Sequence, residues 1–193
     1  MFVWGKRVLL SIFIGLLMVF FGALGASAQD EVWLAGSLEE IKSASPMIGH
    51  ATMPLSLAKA IVDAVPPKYL KESQEAGFEI PVIAEAVESM KPDDVFDLTI
   101  KDIHIVVRKF TKPKPAEPPA PSRLQINNPD LKLPIPLFMT GTAVTLLQYV
   151  VKEFKGMDAQ LAHLIEQVKM TPPGLLLKGE DRLMNTWLEI FVE

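Results

Sequence analysis

The 193-residue chain reads as an α+β protein: two tandem ββααβ-like units packed as a pseudo-symmetric pair, behind an N-terminal signal peptide. Three observations lead there. First, a proline-rich stretch, Thr111–Ser122 (TKPKPAEPPAPS), divides the chain. Each proline lacks an N–H and fixes its own φ, so the stretch can neither hold a helix nor pack a core. Its expected form is a stiff extended spacer, roughly 3 Å per residue and ~35 Å end to end. Second, the flanking segments follow one order. Each has an extended segment ending in Pro-Leu (Pro54-Leu55, Pro136-Leu137), an apolar helix, a second helix, a proline break and a final alternating strand. Third, the spacing agrees: Pro54 to Val107 is 53 positions and Pro136 to Val192 is 56. The expected organisation is residues 1–28 as signal peptide, 29–110 as first unit, 111–122 as linker and 123–193 as second unit.

The leader has three parts. Lys6 and Arg7 precede an apolar run, Val8–Leu24, and Ala26-Ser27-Ala28 supplies a small-residue cleavage site. Cleavage after Ala28 is the expected fate; an uncleaved membrane anchor is the alternative, since the run is close to the length that spans a bilayer. Without residues 1–28, the 19 basic side chains fall to 17 against 23 acidic ones, a net charge of −6. Such a chain, with no basic cluster, is a poor nucleic-acid or anionic-membrane binder. It has no cysteine, which excludes disulfides, thiolate metal sites and a cysteine nucleophile. Core burial alone must then hold two small units, so they are expected to pack on each other.

Taken in order, Gln29–Pro46 is the least patterned stretch. Val32-Trp33-Leu34 suits a short strand and Ser37-Leu38-Glu39-Glu40 a helix start capped by Ser37. Met47–Met53 reads as a weak strand. A helix follows over about Ser56–Val65, with Ala58, Ile61, Val62 and Val65 on one stripe, closed by Pro66-Pro67. Lys68–Glu75 gives a short helical piece ending before Gly77. A second helix runs from Pro81 to Met90, and Asp97–Phe110 reads as one strand with Ile103, Ile105 and Val107 inward.

After the linker, Leu124–Asn127 and Leu131–Ile135 flank the turn cluster Asn128-Pro129-Asp130. A helix over Thr140–Phe154 places Val144, Leu147, Val151 and Phe154 on a stripe that Leu146 and Val150 widen. Asp158 caps the next helix, with Leu161, Leu164, Ile165 and Val168 inward. Pro172-Pro173-Gly174 breaks it; Leu175–Leu177 is extended, and Trp187–Glu193 closes as a strand with Leu188, Ile190 and Val192 inward.

The second unit runs from Leu124-Gln125-Ile126 through Leu133-Pro134-Ile135-Pro136-Leu137 and Pro173-Gly174-Leu175-Leu176-Leu177 to Trp187–Glu193. It resembles a small module found in uncharacterised bacterial proteins with SHOCT-like domains. The first unit is similar through Met53-Pro54-Leu55-Ser56-Leu57 and Ile103-His104-Ile105-Val106-Val107, with Asp93-Asp94 where the second has Pro173-Gly174. The resemblance implies a β-hairpin, two helices and a returning strand; it implies no known activity and no site residues.

Catalytic signatures are sparse. His50, His104 and His163 stand far apart in sequence, without metal-ligand spacing, and read as structural or solvated histidines. The acidic pairs Glu39-Glu40, Asp93-Asp94 and Glu180-Asp181 fall in expected turns or the lead-in, where solvated charge is the default rather than a catalytic dyad. Gly141-Thr142 lacks the spaced glycines and Lys-Ser/Thr of a phosphate loop, and no G-x-S-x-G occurs. No catalytic, cofactor or metal residues are therefore assigned.

Surplus apolar surface stands out more: Trp187 and Phe191 point away from the inward face of the last strand, and Leu146 and Val150 widen their helix. Either the other unit covers them, or they form an apolar partner surface. The expected function is an exported, non-enzymatic interaction or structural protein of the bacterial envelope, periplasmic or extracellular, with an envelope or secreted protein as partner. Membrane contact is expected only if the leader stays uncleaved. The alternative is a binder of an apolar small molecule or lipid between the helical layers.

Overall fold

The computed structural model describes residues 30–41, 46–113, 117, 119–182 and 185–193, the side chains of residues 30, 84 and 150 excepted; the leader lies outside them. The first half comprises β1 (Asp30–Glu40), β2 (Met47–Pro54), α1 (Leu55–Asp63), α2 (Pro67–Glu75), α3 (Ile80–Glu88), β3 (Val95–Ile100) and β4 (Ile103–Pro113). The second comprises β5 (Arg123–Asn128), β6 (Leu131–Pro136), α4 (Thr140–Val150), a 3-10 turn (Lys152–Phe154), α5 (Asp158–Lys169), β7 (Gly174–Asp181) and β8 (Thr186–Val192). All eight strands form one antiparallel sheet, in the order β3-β4-β1-β2-β7-β8-β5-β6.

This corrects the expected pair of ββααβ-like units packed face to face. Each half contributes four strands, and the halves meet edge to edge through β2 and β7. A pseudo-twofold would join equivalent edges. Here the last strand of one half's order, β2, meets the first strand of the other's, β7, so the join runs head to tail.

Two local readings caused the error. Asp97–Phe110 is a hairpin, because Lys101 takes a left-handed φ of 55° and reverses the chain at Lys101-Asp102. Ser37–Glu40 belongs to an eleven-residue strand, since β1 lies between β4 and β2 and satisfies its backbone on both sides.

The strands bury one face. Leu34, Leu38, Met53, Ile105 and Val107 in the first half, and Leu124, Ile135, Leu177, Leu188 and Val192 in the second, point toward the helices. They join Leu57, Ala58, Ile61, Val87, Ala143, Leu147, Leu161, Ile165 and Val168 in a single apolar core. The small side chains Ala58 and Ala60, both 0% exposed, suit the packing of α1 against α5 across the seam. A polar tie bridges the halves as well: Lys68 of α2 reaches Glu153 of the 3-10 turn at 3.2 Å.

The spacer acquires a specific task. β4 and β5 lie five strand steps apart in the sheet, ~24 Å at ~4.8 Å per step. Residues 114–122, nine in all, reach ~28 Å at ~3.1 Å each when extended.

Candidate functional site

At the end of the sheet where β1 and β7 begin (the upper end), the seam opens. β2 and β7 pair from Met47↔Asp181 to Ala51↔Leu177 and no further. Above that point β7 carries a register irregularity between Leu175 and Leu177, and it starts at Gly174 with φ 151°, a conformation that favours glycine. Pro172 and Pro173 cannot donate to a ladder, and Pro54 ends β2.

The divergence leaves a cleft of about 300 Å³. Glu31, Trp33, Thr52, Lys112 and Pro113 line it from the first half, and Pro172 through Leu176 from the second. Of these, Glu31, Trp33, Thr52 and Lys112 alternate with core positions and so lie on the sheet face away from the helices.

Trp33 organises this wall. It is only 7% exposed, its indole Nε1 donates to Glu31 Oε2 at 3.0 Å, and the Lys112 ammonium sits 3.7 Å from its ring centroid. Phe110 is its cross-strand partner, and the same ammonium lies 5.5 Å from that ring. On the far side Leu175, 45% exposed, pairs with Phe191. Phe110, Trp33, Leu175 and Phe191 therefore form an apolar band across the sheet, interrupted by the cleft. Its two charged lining side chains, Glu31 and Lys112, both engage Trp33. The arrangement suits binding of an apolar or extended group, with a polar rim to orient it.

Of the residues expected to form a partner surface, Trp187 and Phe191 lie on this helix-free face, Trp187 at 37% exposure. Leu146 is half-buried on α4, in the helical layer on the other side of the sheet. The side chain of Val150 lies outside the described residues. The structure therefore does not gather them into one patch. Sequence reading passed over Trp33, Lys112 and Leu175. The signal available was Trp33 beside Leu34, a large aromatic on the opposite parity from the core.

The histidines stay apart in role: His50 is exposed, His163 is exposed, and His104 Nε2 lies 3.0 Å from Asp97 Oδ1. Among the described residues no group of three or more His, Asp or Glu side chains could hold a metal ion. Glu39-Glu40 ends β1, Asp93-Asp94 forms a turn with Asp93 at φ 72°, and Glu180-Asp181 ends β7 with Asp181 buried.

Elsewhere two titrations are shifted at the seam. Burial, then the Glu153 carboxylate, pushes the Tyr69 phenol well up. Burial alone would raise Glu153; its backbone hydrogen bond, Lys68 and the Tyr69 hydroxyl outweigh it and hold the carboxyl below its usual range. In the first half, burial lowers Lys109 against the pull of Glu88 and Asp94.

No protein-family model, curated protein or solved structure matches this chain, and none therefore bears on its resemblance to the SHOCT-associated module.

Proposed function

We propose that the chain is an exported, non-enzymatic interaction protein of the cell envelope that takes an apolar segment of a partner protein into the seam cleft. The observation that supports this reading most is the cleft itself. It opens where the β2–β7 ladder stops, its walls come from both halves, and aromatic or aliphatic side chains continue the band on either side. The export part rests on the leader pattern of Lys6-Arg7, Val8–Leu24 and Ala26-Ser27-Ala28.

The test is site-directed cross-linking in intact cells, with a photoreactive residue at Leu175 and a control at exposed Val82 on α3. A discrete adduct at 175, absent at 82 and lost on Trp33→Ala, is expected. Equal labelling at both positions sinks the reading.

A second reading rests on cleft size. About 300 Å³ lies at the lower end of small-molecule pockets, so a small apolar ligand would fit the same site. Native mass spectrometry of protein purified without detergent separates the two readings: a retained small mass favours the ligand, and a bare chain favours the partner.

A further inference from the structure

The upper end carries a second feature. Phe138 and Met139, in the link from β6 to α4, are 77% and 50% exposed, and Met170, after α5, is 54% exposed. A local network brings these two links together. Thr140 Oγ1 donates to Glu166 Oε1 at 2.8 Å and accepts from Lys169 Nζ at 2.7 Å. The residues next to Met139 and Met170 in the chain are thus locked to each other, and three large apolar side chains form a tip. Val95, which opens β3, and Leu175, near the start of β7, are exposed at this end too, whereas Ile41 after β1, Val82 on α3, Tyr149 near the end of α4 and Trp187 on β8 lie elsewhere.

The chain preceding β1 enters at this same end. Asp30 opens β1, and only residues 25–29 separate it from the apolar run Val8–Leu24. Fully extended, that tether spans at most ~20 Å at ~3.5 Å per residue. While the run is attached and lies in a bilayer, the upper end is held at the membrane surface, and the tip is an exposed apolar feature available there.

We infer that, in the form that keeps its apolar run, the upper end is the membrane-facing end of the molecule, with Phe138, Met139 and Met170 entering the bilayer interface. Charge has little part in this contact. Lys169 is paired with Glu166 at 2.7 Å, Arg123 is paired with Glu193, and Lys112 lies over Trp33. The contact therefore works on neutral lipid and persists in high salt.

The chain has no cysteine, so single cysteines can be placed cleanly. Full-length protein is reconstituted in phosphatidylcholine vesicles with an environment-sensitive fluorophore on Phe138→Cys, Met170→Cys or, as control, Tyr149→Cys. Tyr149 is 84% exposed and lies at the far end of α4. Blue-shifted emission, quenched by nitroxide-bearing lipid, is expected at 138 and 170 but not at 149, at low and high salt alike. Emission at 138 and 170 matching that at 149 overturns the proposal. A second measurement guards against local artefacts: lipid quenching of a Met139→Cys probe should fall when Phe138→Ser and Met170→Ser are added, and unchanged quenching likewise overturns it. Cleft cross-linking at Leu175 is read separately, so the two proposals can fail independently.

Discussion

β2 and β6 occupy the same place in their halves, as the last strand of the orders β3-β4-β1-β2 and β7-β8-β5-β6. Their outer edges have opposite fates. That of β2 is paired with β7, whereas that of β6 has no strand neighbour among the described residues. The hydrogen bond from Leu137 N to Ser122 O, at 3.0 Å, sets the alternation of the β5–β6 ladder. Leu133 and Ile135 then bond toward β5, while residues 132, 134 and 136 point their backbone outward. Two of those three are proline and have no N–H to offer. A head-to-tail join has no intrinsic end, and prolines on the trailing edge are a known way to stop one. The difference between β2 and β6 is the difference between a joint and a terminus.

Breaking that terminus should give the largest effect. In Pro134→Val/Pro136→Thr, β6 regains outward donors and can pair with the free edge of β3 in another copy, as β2 does with β7. Sedimentation velocity should show mass rising with concentration relative to the unsubstituted chain. A double variant with the parent's sedimentation behaviour at every concentration would refute the account of the edge.

The next comparison concerns independence of the halves. Because the core is continuous across the seam, Leu161→Ala in α5 should destabilise both halves together, by about 2–5 kcal/mol. Urea unfolding followed through Trp33 and Trp187 separately, in a Trp4→Phe background, should give one shared midpoint that shifts for both reporters. A shift confined to Trp187 would mean the halves fold alone.

A third contrast sits inside the core. Leu34 pairs with Lys109 in the first half, and at the corresponding place Leu124 pairs with Val192 in the second. Lys109 is 5% exposed, and its ammonium donates to the carbonyls of Glu88 and Met90 at 3.2 and 2.7 Å, just where α3 ends. The second half's counterpart of α3 is α5, the helix that precedes β7, and the strand position corresponding to Lys109 there is Val192. Lys109 thus serves the end of α3, whose last carbonyls have no intrahelical partner and must be satisfied. Lys109→Val should cost about 1–3 kcal/mol by denaturant unfolding, the penalty for orphaned carbonyls. A neutral or stabilising result would mean that water serves α3 as well as the ammonium does.

These contrasts show what was legible in the sequence. The apolar stripes of α1 and α5 follow from local periodicity, and so do the β5–β6 hairpin and the inward set Leu188, Ile190 and Val192. The start of the expected linker was misplaced, because Thr111–Pro113 belong to β4. Pairing partners were not. β1 carries Leu34, Gly36 and Leu38 toward the helices, but the glycine and the adjacent Trp33 blur the alternation, and only β4 and β2 make it a strand. Lys101-Asp102 lacks a glycine or asparagine to announce its turn. The seam is a contact between segments more than a hundred residues apart, and the cleft exists only where that contact fails. No periodicity within either half encodes it.

The smallest effect tests the polar tie across the seam, for which the second half supplies Glu153 and the first Lys68 and Tyr69. Glu153 titrates below its ordinary value near 4.5, so the tie contributes fully above that pH and is lost as pH falls through the depressed value. Lys68 is well exposed, which limits the contribution to about 0.5 kcal/mol. Tyr69 adds the opposite limb. Its raised phenol keeps its proton in the fold, so stability should decline as pH rises beyond about 10. Glu153→Gln should therefore lose less stability than the parent between about pH 5 and pH 3, with Tyr69→Phe flattening the alkaline limb alone. Parallel curves for parent and Glu153→Gln on the acid side would show that the seam rests on α1, α5 and the β2–β7 ladder without help from this tie.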